Sequence, residues 1–135
     1  MKSENHQNNI TNFESFVSSM LEKSPQIIAV MVIDKDGKLI KKIISKPLES
    51  EFGPFELEYI AKLIGLRYRI VEFHKILHGL KMTINVFNER FIFVTGLADG
   101  TIITMITKNE NIEKTCEIMS QIQPSFVNLA KMLNQ

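Results

Sequence analysis

The stretch FELEYIAKLIGLRYRIVEFHKILH, from Phe55 to His78, decides the fold. Its apolar residues recur at helical spacing, about 100° per residue, and they do so twice. Leu57, Ile60, Ala61, Ile64, Tyr68 and Val71 form one stripe. Phe55, Tyr59, Leu63, Leu66, Ile70, Phe73 and Leu77 form another, about half a turn away. Lys62, Arg69, Glu58 and Glu72 fill one flank; Glu56, Arg67 and His74 fill the other. An amphipathic surface helix buries one stripe and turns the other face to water. A helix with two stripes needs cover on both sides. In a chain of 135 residues, one face can lie on the protein's own sheet, and the second is expected to lie on a partner. The loop at 46–53 and the polar tail before the first helix are too short or too polar to cover it from within.

Working outward, Pro54 suits the first turn of this helix, where its missing N–H costs nothing, and Gly79 suits its C-cap. Upstream, residues 1–9 form a polar tail expected to be disordered, with the folded domain occupying 10–135. Thr11 and Glu14 have capping-box spacing. Phe13, Phe16, Val17, Met20 and Leu21 form a single stripe, so the first helix packs on one side and ends at Ser24-Pro25. Ile27 to Ile33 is an unbroken apolar run, the pattern of a strand buried on both faces. Asp34 to Gly37 is a turn, and Lys38 to Ser45 returns as a more polar strand nearer an edge.

After the long helix come three strands on short connections. Lys81 to Phe87 alternates, with Met82, Ile84 and Val86 on one face and Thr83 and Asn85 on the other. Arg90 to Gly96 and Thr101 to Thr107 are bulky on both faces, and Asn88-Glu89 and Ala98-Asp99-Gly100 make the turns. Asn109 is placed to cap a last helix, whose buried face takes Ile112, Cys116, Met119 and Ile122; Pro124 should kink or split it. Strands joined by short turns are antiparallel. The fold class expected is therefore α/β (α+β): a single five-stranded, mostly antiparallel sheet, order α-β-β-α-β-β-β-α. The long helix covers one face and the N- and C-terminal helices cover the other.

Composition narrows the function. Charged residues are 23% of the chain and the net charge is +1, which gives no reason to expect nucleic acid or an acidic surface as a general partner. No apolar stretch approaches the roughly 18 residues of a membrane span, and residues 1–9 lack the apolar core of a secretory signal. Cys116 is the single cysteine, consistent with a reducing, cytoplasmic setting.

Catalytic patterns are missing from the sequence. The six glycines are scattered, with no phosphate-binding loop, and there is no GxSxG, HExxH or CxxC. Cys116 with His74 or His78 could make a Cys–His pair, but a thiol on an apolar helix stripe reads as buried and inert. His74 and His78 are spaced to share a metal, yet supply only two ligands where a structural zinc takes four. Asp34, Asp36 and Gly37 resemble part of a calcium loop, with the ligand set incomplete and strands on both sides. The lysines at 35, 38, 41, 42 and 46 read as a solvated edge that resists sheet-to-sheet aggregation. No catalytic, cofactor-binding or metal residue is assigned, and the protein is not expected to be an enzyme.

The segment IAVMVIDKDG, Ile28 to Gly37, the long helix, and FIFVTGLADGTIIT, Phe91 to Thr104, together resemble the roadblock family, the fold of roadblock-type dynein light chains and of many prokaryotic GTPase regulators. The resemblance covers Thr11 to Leu133. It departs at Gln26-Ile27, where the family often has glycine, and at Pro124. It implies a non-enzymatic dimer joined through the long helix and the strand after it, and as partners a second copy and a small Ras-like GTPase. No arginine is assigned a finger-like role. The stripe Leu57, Ile60, Ala61, Ile64, Tyr68 and Val71, with Met82, Ile84 and Val86, is the expected dimer interface, because Ala61 would let two helices approach closely. The bulkier stripe from Phe55 to Leu77 is expected on the sheet. A small-molecule sensor of the PAS, GAF or profilin-like kind is the alternative, and it would need a pocket between helix and sheet with convergent polar groups.

Overall fold

The apolar run at Ile27–Ile33 is the strand β1, and it lies inside the sheet with neighbours on both sides. The computed structural model describes residues 2–34, 36–46, 52, 53, 55–72, 82–87, 89–108 and 112–134, with the backbone alone for 2–12, 68–72 and 112. In chain order the elements are α1 (Lys2–Lys23), β1 (Ile27–Ile33), β2 (Leu39–Ile44), α2 (Glu56–Glu72), β3 (Met82–Val86), β4 (Arg90–Gly96), β5 (Ile102–Lys108), a 3-10 turn at Ile112–Lys114 and α3 (Thr115–Leu133). The five strands form one sheet in the order β2-β1-β5-β4-β3, antiparallel throughout. β2 and β3 are the two edges. β1 and β5 are almost wholly buried because helices cover the sheet on both sides.

One face is covered by α1 and α3. Phe13, Val17 and Met20 from α1 and Ile122, Phe126 and Leu129 from α3 meet Val30, Phe91, Phe93, Ile103 and Met105 of the sheet. The ring centroids of Phe93 and Phe126 lie 5.5 Å apart, as do those of Phe91 and Phe93, which meet edge to face. Truncating such a ring removes its transfer energy and leaves a cavity. Phe126→Ala should therefore lose about 3–5 kcal/mol, read as a fall in the midpoint of urea unfolding. The ion pair from Lys41 Nζ to Glu14 Oε1, at 2.9 Å, ties β2 to α1, and Lys41 also lies over the Phe13 ring.

The other face is covered by α2. Ile28, Ala29, Met31, Phe52, Leu57 and Ile106 form one apolar cluster, and Ile33, Ala61, Val94 and Ile102 another. Ile28 and Ala29 are consecutive yet share this face. The β1–β5 register shifts between Ile27 and Ala29, and the extra residue of a bulge lets two neighbours point the same way. The turn after β1 is held by Asp34, whose Oδ1 accepts from the backbone N–H groups of Asp36 and Lys38, each at 2.8 Å. Gly37 there has φ of 81°, open to glycine at little cost.

Three expectations for the helices are corrected. α1 begins at Lys2, nine residues before the expected start at Thr11. No glycine or proline interrupts 2–10, and extending an existing helix costs little per residue. α3 continues through Pro124 as one element, so the proline does not split it. The proline forfeits one backbone bond and costs about 3 kcal/mol, while burying Ile122, Phe126 and Leu129 returns about 1.5–3 kcal/mol each. Cys116 is exposed, because the buried stripe of α3 runs through Thr115, Ile122, Phe126 and Leu129 instead. Pro54, Gly79 and Asn109 lie outside the described residues, as do His74 and His78.

Candidate association face

The two stripes of α2 take the opposite places from those expected. Leu57 and Ala61 are 3% and 0% exposed, pressed on the protein's own sheet, with Ile60 and Ile64 half-buried beside them. Phe55, Tyr59, Leu63 and Leu66 face outward, each at least half exposed. Leu57 and Ala61, expected to meet a partner, therefore belong to the core, and over the described side chains the bulky stripe is the free one. The reason is how close the helix comes. A Cβ built at Gly65 would sit 3.0 Å from Gly37 Cα, and one built at Gly37 would sit 3.5 Å from Lys62 Cα. Backbone meets backbone here, so the contacting stripe must be the one with the small residues Ala61 and Gly65. Tyr68 and Val71 lie on the stretch of α2 described by its backbone alone.

On the same face of the sheet, α2 does not close over β3. An open groove of about 390 Å³ runs there, with Ile60, Leu63, Ile64 and Arg67 of α2 on one wall and Thr83, Asn85, Ile92 and Val94 of the strands on the other. Phe87, just past β3, also lines it and is half exposed. The lining is mostly apolar, with Arg67, Thr83 and Asn85 as the polar groups. Of the strand residues expected at an interface, Met82 and Ile84 turn to the opposite face and pack on the α1–α3 core, and Val86 is half exposed. Leu63 belongs to both the free stripe and the groove, which makes the outward face of α2, the groove and the β3 edge one continuous surface. Among the described residues there is no group of three or more His, Cys, Asp or Glu able to hold a metal ion, and no helix long and apolar enough to cross a membrane.

Leu63, Arg67, Thr83, Asn85 and Phe87 are site residues that the sequence pattern did not single out. A signal for the faces was present: Ala61 and Gly65, four apart, mark the closest approach of a helix to whatever it packs against.

A helix on one face of a five-stranded antiparallel sheet, two on the other, and the chain order α-β-β-α-β-β-β-α are shared with known structures. The gliding protein MglB from Thermus thermophilus superposes with a TM-score of 0.74 at 11% identity, over 93% of this chain and 88% of that one. A Roadblock/LC7 domain from Streptomyces avermitilis superposes with a TM-score of 0.56 at 13% identity, over 82% of this chain and 93% of that one. The fold is that of a roadblock-type domain. A further roadblock-like structure, MglB with a tetrameric arrangement, matches with a TM-score of 0.66 at 9% identity, over 93% of this chain and 90% of the other. The sequence itself matches no protein-family model and no curated protein, so the roadblock likeness is one of fold.

Proposed function

We propose that this protein is a non-enzymatic, cytoplasmic homodimer that scaffolds or regulates a small Ras-like GTPase. The observation that carries the reading is the continuous free surface: an outward apolar stripe on α2, an apolar groove beside it and an open sheet edge at β3. Contiguous exposed apolar area of this kind marks an interaction site. The roadblock fold supports the rest: members of the family it resembles pair through these elements and engage such GTPases, and the solved MglB structure with a tetrameric arrangement shows that the fold supports assembly in that protein. Light scattering on the purified chain at micromolar concentration should give twice the monomer mass, and a clean monomer would overturn the dimer. Retention of a GTPase on the native protein through purification tests the partner.

The groove also favours a second reading, a small-molecule sensor, since Arg67, Thr83 and Asn85 are polar groups on an apolar cleft. A metabolite that raises the melting temperature of the dimer, and whose effect is lost in Arg67→Ala, would establish it.

A further inference from the structure

Positive charge gathers along the β2 edge of the sheet. From Lys38 to Lys46 there are four lysines and no acidic residue in nine positions, in a chain whose net charge is only +1. Among the described residues, Lys41 alone of the four is ion-paired, to Glu14 Oε1 at 2.9 Å, so one carboxylate already sits on this strand. Lys38, Lys42 and Lys46 are exposed, and Ile40 beside them is 55% exposed. β2 ends the strand order, so its outer side has no strand among the described residues. The direction of its backbone groups follows from its pairing with β1. The Ser45 N–H donates to the Ile28 carbonyl at 2.8 Å, and the register continues through Ala29↔Ile44, Val30↔Ile43 and Met31↔Lys42. Bonded and non-bonded pairs alternate in an antiparallel ladder. Ile43 therefore directs its backbone groups to β1, while Ile44 and Lys42 direct theirs out of the sheet.

We infer that the β2 edge docks an acidic, extended segment of a partner protein, which joins the sheet as a sixth strand beside Lys42 and Ile44. In strand addition of this kind the main chain supplies affinity and the side chains supply specificity. Here the outward N–H and C=O groups of Lys42 and Ile44 supply the first, and the lysines supply the second. Like charges turn away another copy of the same edge; a strand of opposite sign meets attraction instead. A lipid surface is the poorer fit, because it needs its cations on one side. Lys41 lies over the Phe13 ring on the α1 face, and Lys42, the next residue, points to the opposite face. Charge on both faces of one edge suits a strand lying along it. The register to β1 shifts at Ile40, so the straight edge runs from Lys41 to Ile44 and the docked stretch is short. β2 lies at the far side of the sheet from β3, so this site stands apart from the association face and does not rest on the dimer reading.

Fluorescence anisotropy of a labelled Glu-Val-Glu-Val-Glu-Val peptide, titrated with the full chain, tests the site. The peptide should bind, and Lys42→Glu should weaken it by at least about tenfold. Lys131→Glu, at an exposed lysine on α3, changes the net charge by the same amount and should leave binding within about twofold of the parent, as a change away from the site should. The same peptide methylated on its backbone nitrogens keeps its charge and loses its donors, so it should not bind. Equal binding of the methylated peptide would reduce the site to charge alone and overturn strand addition. An equal loss in Lys131→Glu would overturn the placement on β2. No binding of the acidic peptide, with retention of the chain on phosphatidylserine vesicles, would overturn the proposal in favour of a lipid surface.

Discussion

Leu63→Glu should give a folded monomer, and Ala61→Glu should not fold. The two positions are half a helical turn apart on α2 and differ in what surrounds them. Ala61 is fully buried between the helix and Ile33, Val94 and Ile102, so a glutamate there has no room and no counter-charge. An unpaired buried charge costs several kcal/mol, against a total stability of about 5–15 kcal/mol for a domain. Leu63 is half exposed, so the isolated fold should change by no more than about 0.5 kcal/mol. In the assembly it sits where the free stripe meets the groove, and a residue at the centre of an interface carries about 2 kcal/mol or more, roughly thirtyfold in the dimer dissociation constant. Circular dichroism reads the first effect and light scattering the second. A folded monomer from Ala61→Glu with an unfolded Leu63→Glu would put the faces back in the order that bulk alone suggested.

That reversal shows what in this chain was legible and what was not. The fold was legible because each strand announces its neighbours. Ile27–Ile33 is apolar on both faces and so must be interior, the polar β2 must be an edge, and short turns force antiparallel pairing among β3, β4 and β5. Met82, Thr83, Ile84 and Asn85 alternate as an edge strand covered on one side should. The site was half legible. Two apolar stripes on α2 are visible in the residues, but which one meets the sheet depends on the distance of approach. That distance is set by a turn twenty-eight residues upstream of Gly65, at Gly37, and the local signal, Ala61 and Gly65 four apart, marks a close approach without telling whether sheet or partner makes it. Side-chain bulk points to the wrong stripe, because the close approach requires its opposite. Cys116 failed for a related reason: periodicity locates a stripe only to within a residue, and Thr115 took the buried place.

Gly65→Val should destabilise the protein by about 3 kcal/mol, near the top of the range for an overpacked core. For a chain of this size that corresponds to a melting temperature lower by about 10 °C. The cost is steric rather than conformational. Gly65 sits mid-helix, where valine is tolerated and glycine is itself the poorer helix former. What stands in the way is the Cα of Gly37, 3.0 Å from the first added carbon, and that carbon cannot retreat. Its turn is held by the two bonds to Asp34 Oδ1 and by the Gly37 N–H donating to the Asp34 carbonyl at 3.0 Å. The helix must lift instead, loosening Leu57 and Ala61 from the sheet and moving the groove wall that carries Leu63 and Arg67. Dimer affinity should fall along with stability, although Gly65 faces the β1–β2 turn and not the free stripe. Gly65→Ala should cost less than valine: its Cβ meets the same Gly37 Cα at 3.0 Å, but it lacks the two further methyls, and the gain in helix propensity of about 0.8–1 kcal/mol offsets part of the strain. Gly100→Ala is the control for backbone conformation: φ there is 90°, with nothing within 4 Å of the added carbon, so its loss reports left-handed strain alone and should leave the dimer intact. A Gly65→Val protein as stable as the parent would mean that α2 does not rest on the β1–β2 turn, and the depth of the groove would then need another cause.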